Sequence, residues 1–109
     1  MTTTDRKESE MSGKIPPTHP GDILLRDFLE PLEITQYRLA RDVGVQQTRI
    51  GQVVRGERSV TAETALLFAR YLGTTPEFWL KLQDRHDLEI REEEMSERLA
   101  AIEPFHAAS

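Results

Sequence analysis

A chain of 109 residues fits one hydrophobic core, and its lack of cysteine excludes disulfides, thiolate nucleophiles and cysteine zinc sites together. Its formal net charge of −5 argues at first sight against a polyanionic partner, but the charge is unevenly spread. Between Thr35 and Arg58, five arginines (Arg38, Arg41, Arg49, Arg55 and Arg58) face only Asp42 and Glu57, a local +3, whereas eight acids against three arginines make the stretch from Asp84 onward −5.

Residues 1–14 are rich in Thr, Ser, Glu and Lys with almost nothing to bury, so a disordered N-terminal extension is expected there. That stretch has no apolar run for a signal peptide or a membrane span, which points to a cytoplasmic protein with no membrane partner. A folded domain is expected over 15–91, followed by an acidic tail over 92–109.

Pro16, Pro17 and Pro20 lead into a first helix predicted over about 20–32, with Leu25, Leu29 and Leu32 on one face and Leu24 and Phe28 widening the stripe. Thr35 is the expected N-cap of a second helix ending at Gly44, and Gln46 to Arg55 forms a third, stopped by Gly56. A fourth runs from the N-cap Thr61 to Gly73, burying Ala65, Phe68, Ala69 and Leu72, and Thr75-Pro76-Glu77 opens a fifth. No alternating run of strand length occurs, so the fold class is all-α, five helices with a partly helical C-terminal tail.

The stretch from Gln36 to Arg55 reads as a pair of packed helices, a helix-turn-helix. Ala40 fits where two helices approach closely, Gly44 suits a turn with positive φ, and Leu39, Val45, Ile50 and Val53 supply the apolar wedge. With those positions inward, the third helix presents Gln46, Gln47, Thr48, Arg49 and Gln52, side chains whose donors and acceptors match base edges in the major groove. The segment Val45 to Arg55 contains no acid, unlike an ordinary solvated helix face. Arg38, Arg55 and Arg58, near the ends of that surface, are candidate phosphate contacts.

The spacing of Ala40, Gly44, Val45, Ile50 and Val53 resembles the helix-turn-helix of lambdoid phage repressors and the wider Cro/repressor family, which implies a lambda-repressor-like fold. Gln36 then looks like the residue with which those repressors fix a phosphate at a helix start. Three further runs, His19-Pro20-Gly21-Asp22-Ile23-Leu24, Arg55 to Thr61, and Gly73 to Leu80 with its Phe78-Trp79-Leu80 block, resemble HigA-type antitoxins. That resemblance implies a repressor of its own operon that also neutralises a HigB-type toxin, an RNA-cleaving enzyme. The alternatives are an autonomous regulator without a toxin and a mainly protein-binding inhibitor whose DNA contact is weak. Gly51 stands in a helix interior, where glycine costs about 1 kcal/mol relative to alanine, and the choice between close approach and mere tolerance is open.

Phe78, Trp79 and Leu82 stand between core, dimer interface and partner contact, with core expected for at least two and Trp79 the interface candidate. One motif per chain and the two-fold symmetry of operators imply a homodimer seamed by its C-terminal helices. An enzyme is not expected. His19, His86 and His106 are far apart in sequence, and neither a metal-binding spacing nor a Gly-rich phosphate loop calls for a cofactor.

Overall fold

The computed structural model describes residues 18–106, so the expected N-terminal extension and a folded start near Ile15 lie outside the described residues. The described residues form an all-helical unit: α1 (Pro20–Ile23, a wider turn Leu24–Leu29, then Glu30–Leu32), α2 (Gln36–Val43), α3 (Gln47–Val54), α4 (Ala62–Leu72), α5 (Pro76–Glu94) and α6 (Ser96–Ala100). The first five follow the order expected from periodicity. The short α6 adds to them, and α5 runs unbroken through position 91 to Glu94. No helix among the described residues is long and apolar enough to cross a membrane.

Local chemistry sets the helix starts. The hydroxyls of Thr35 and Thr75 accept from the backbone N–H groups of Arg38 and Phe78, three residues on, at 3.0 and 3.1 Å. Thr61 does the same for Thr64 at 3.4 Å. At α1 the cap is a histidine, whose Nδ1 accepts from Gly21 N–H at 2.9 Å, with Pro20 in the first turn.

The middle of α1 departs from the expected regular helix. Pro31 has no N–H, and in a regular α-helix its ring would press on the carbonyl four residues back, that of Asp27. The chain widens into a π turn over Leu24–Leu29 instead, and Glu30 N–H reaches the carbonyl of Leu25, five residues back. The helix then ends at Glu33, left-handed at φ +56°, after which Ile34 N–H returns to the Leu29 carbonyl. The extra residue per turn rotates the last turn of α1 relative to the first. Leu24 and Leu29 are buried and Leu25 and Phe28 half-buried, but Leu32, expected on the same stripe, is 56% exposed.

The core gathers Leu24 and Leu29 of α1, Leu39 and Ala40 of α2, Ile50 and Val53 of α3, Val60, three residues of α4 and Trp79 of α5. The α4 residues are Ala65, Phe68 and Ala69, with Leu72 half-buried beside them. Trp79, the expected interface candidate, is instead fully buried. Its ring lies 5.3 Å from both Phe28 and Phe68 and 5.0 Å from Phe78, and its indole N–H donates to Thr74 Oγ1 at 2.7 Å. A satisfied indole with aromatic neighbours around it is a core residue. Phe78 stays partly exposed at the edge of this cluster and Leu82 is half-buried.

Two polar contacts lock the ends together. Gln83 of α5 is buried; its Oε1 accepts from Val60 N–H at 2.7 Å and its Nε2 donates to Asp87 at 3.0 Å, fixing the loop between α3 and α4. His19 and His86, far apart in sequence, meet edge to face with ring centroids 4.8 Å apart. The N-terminus of α1 also rests on the last turn of α3, where a Cβ on Gly21 would lie 2.0 Å from the Val53 carbonyl oxygen. Only glycine permits that approach.

Candidate nucleic-acid interface

The turn between α2 and α3 is set by three residues. Gly44 ends α2 at φ +82°, a left-handed conformation that a β-carbon would strain, and its N–H and that of Val45 both return to the Ala40 carbonyl at 2.9 Å. Val45 then folds back half-buried, while Leu39, Ala40, Ile50 and Val53 pack between the helices. Regular α3 starts one residue later than expected. Gln46 is its N-cap in extended conformation and makes no side-chain capping bond, so its amide is free for other partners. Arg55 lies just past the helix end, as its C-cap.

At about 100° per residue, the buried Ile50 and Val53 fix what α3 shows outward. Thr48 and Gln52, four apart, share the middle of the outer face. Gln47 lies on the side nearer α2 and Arg49 on the side nearer α4. Gln46, Gln47 and Thr48 are exposed, Gln52 and Arg49 half-buried. Gln46, Thr48, Arg49, Gln52 and Arg58 line one shallow concavity together with Gly44, Val45 and Glu63.

Gly51 is buried on the α2 side of α3. A Cβ there would lie 3.0 Å from Arg55 Nη1 and 3.7 Å from Gln36 Oε1, so the glycine is a floor beneath two candidate phosphate contacts. Gln36, at the first position of α2, is thereby brought beside the middle of α3.

Four of the five arginines of the basic stretch are paired with carboxylates. Arg38 and Arg41 flank Asp42 at 3.5 and 3.2 Å, Arg55 meets Glu57 at 3.1 Å, and Arg49 meets Glu63 at 3.4 Å. Arg58 donates to Gln52 Oε1 at 2.9 Å instead. The Tyr71 hydroxyl donates to Asp42 and, with Arg41 and Arg38, holds that carboxyl below the usual carboxylate range, so Asp42 stays ionised. The exposed pairs of Arg38, Arg41 and Arg55 contribute little to stability.

Arg49 differs from the expected freely projecting reader. Its Nη2 donates to Thr64 Oγ1 at 2.9 Å as well as pairing with Glu63, and its side chain is 26% exposed. Reading along α3 alone misses both partners, because they arrive from the first turn of α4. Counting Glu63 lowers the local charge from +3 to +2. The sequence signal available was an acid two residues after the N-cap Thr61, an ordinary helix-start feature.

With this geometry established, comparison with known proteins gives concordant matches. Residues 25–79 match a family described as helix-turn-helix. The chain is similar to the uncharacterized HTH-type transcriptional regulator YbaQ of Escherichia coli K12, 39% identical over 89 residues that make up 80% of this chain and 79% of that protein. It is similar to antitoxin HigA-1 of Vibrio cholerae serotype O1, 35% identical over 89 residues, 82% and 84% of the two chains. Among solved structures, Pseudomonas aeruginosa antitoxin HigA with the higBA promoter superposes with a TM-score of 0.79 at 32% identity, covering 83% of this chain and 99% of that one.

Proposed function

Because the chain belongs to the Cro/repressor-like helix-turn-helix family that includes the HigA antitoxins, we propose that it is a sequence-specific operator-binding repressor and the antitoxin of a HigB-type, RNA-cleaving toxin. The observation that carries the DNA part is the outer face of α3. It presents Gln46, Gln47, Thr48 and Gln52, all neutral hydrogen-bonding side chains, from a helix whose other side is locked into the core. A face of this kind discriminates bases only on a rigid support, and Gly44, Gly21 and the buried wedge provide one.

In this reading Gln46, Gln47, Thr48 and Gln52 contact base edges, with Arg49 joining them once it leaves its internal partners. Gln36, Arg38, Arg55 and Arg58 contact phosphates. The protein acts in the cytoplasm as a homodimer whose two copies of α3 enter successive major grooves about 34 Å apart. Leu88, Leu99, Ile102 and Phe105, exposed on α5, α6 and beyond, favour a seam at the C-terminal helices.

An autonomous regulator without a toxin is the second reading, since relatives such as YbaQ are described as transcriptional regulators and not as antitoxins. Titrating the DNA upstream of its own reading frame against a scrambled duplex tests the shared DNA part, and equal affinities would reject it. Co-expression with the product of the adjacent reading frame tests the antitoxin part. Rescue of growth and co-purification are expected; an adjacent product with no effect on growth would leave the autonomous regulator.

A further inference from the structure

Gln52 stands in the middle of the outer face of α3, and Arg58 lies in the loop after that helix. Both line the concavity that they share with Gln46 and Thr48. Arg58 Nε donates to Gln52 Oε1 at 2.9 Å. An arginine nitrogen only donates, so the amide atom facing it must be the oxygen, and the partner itself fixes which way this amide points. Arg58 is also the one arginine of the basic stretch that meets no carboxylate among the described residues. It is exposed, while Gln52 is half-buried.

Resting on the reading that α3 enters DNA, we propose that Arg58 is a positioning residue that makes Gln52 a hydrogen-bond donor to the major groove, so that Gln52 selects guanine over adenine. A free glutamine reads adenine with both ends of its amide: Oε1 accepts from the N6 amino group and Nε2 donates to N7. Here Oε1 is already turned to Arg58. If the amide flips to offer that oxygen to adenine, it leaves a charge-assisted hydrogen bond. If it offers the second lone pair instead, the guanidinium stands beside the adenine amino group, donor against donor. Guanine avoids both costs, because its N7 and O6 are acceptors that take Nε2–H and face the positive charge with the Arg58 bond intact. The other nitrogens of Arg58 are left for a phosphate, which ties the orientation of the amide to the backbone of the same duplex.

The test starts from the duplex that the wild-type protein selects out of a randomised pool. Substituting its positions in turn locates the base pair whose preference is lost in Gln52→Ala. At that pair guanine is expected to bind about tenfold more tightly than adenine, by titration of the two duplexes. Arg58→Met keeps the length of an exposed side chain and removes its charge and donors. Both duplexes are expected to weaken through the lost phosphate contact, and the ratio between them to fall to about twofold or less. In Gln52→Ala, Arg58→Met the ratio is expected to equal that of Gln52→Ala alone. Adenine favoured at that pair, a ratio unchanged in Arg58→Met, or no pair whose preference depends on Gln52 would each overturn the proposal. Failure of the wild-type protein to select any duplex would instead overturn the DNA-binding reading on which it stands.

Discussion

Gly51 and His19 show how much a single side chain decides here. In the interior of α3 a glycine forfeits about 1 kcal/mol of helix propensity relative to alanine. The atom nearest a new methyl would be Arg55 Nη1, at 3.0 Å, the far end of a mobile side chain and not backbone. Gly51→Ala is therefore expected to keep the fold and to raise stability by up to about 1 kcal/mol, read from denaturant unfolding. It is also expected to weaken DNA binding, since Arg55 must move from its place above the helix; a destabilised variant would show that Arg55 and Gln36 have no room to shift. His19 is pushed below its ordinary value by burial first and by the facing His86 second, with Asp22 and Asp87 opposing. The unfolded chain, titrating near pH 6.5, then takes up the proton before the folded one. Stability is complete above that pH and is expected to fall as the pH drops below it, toward the lowered native value. His19→Asn, which keeps a cap acceptor for Gly21 N–H, is expected to flatten the change in melting temperature between pH 7.5 and 5.5, on the order of the imidazole's titration range. An unchanged slope in that variant would assign the effect to other groups.

At the scale of helices, what was legible was local. Thr35, Thr61 and Thr75 mark helix starts because a cap is a bond within four residues, and Gly44 marks a stop because its conformation is intrinsic to the residue. The π turn of α1 was not legible from apolar spacing, which assumes one constant period; Pro31 changes the period and turns Leu32 outward. Gly21 was visible as part of a short run but not as a contact, since its partner carbonyl is thirty-two residues away at Val53. That contact gives the sharpest test of how α1 seats α3. A Cβ at position 21 would lie 2.0 Å from Val53 O and 2.8 Å from Val54 O, both backbone atoms that cannot rotate aside. Gly21→Ala is expected to cost at least about 3 kcal/mol, at or beyond the upper end for overpacking. Whatever folds is expected to bind DNA more weakly, because α3 must shift to make room; near-wild-type unfolding and binding would show that α1 and α3 slide apart freely.

Across the whole molecule, the pieces that made the proposed DNA-reading surface readable are contiguous, from Gln36 to Arg58, while those that qualify it come from elsewhere in the chain. Glu63 and Thr64 restrain Arg49 from α4, and Trp79 lies at the centre of the core because Phe28 and Phe68 converge on it, a convergence no single segment reveals. The charge is divided in the same way: the exposed face of α3 is free of acids, and the acids gather from Asp84 onward, on α5, α6 and the residues after them. If the chain has both proposed activities, this division lets them be separated. Arg49 is unsuited to that test because its loss also breaks a bond to the buried Thr64. Gln47 and Thr48 are exposed and carry no such bond, so Gln47→Ala, Thr48→Ala should change stability by no more than about 0.5 kcal/mol. The double variant is expected to fold, as circular dichroism would establish, to lose repression of a reporter placed behind its own promoter, and still to rescue growth from the co-expressed toxin. Rescue lost in a well-folded double variant would mean that toxin and DNA compete for α3, and repression retained would remove both residues from base readout.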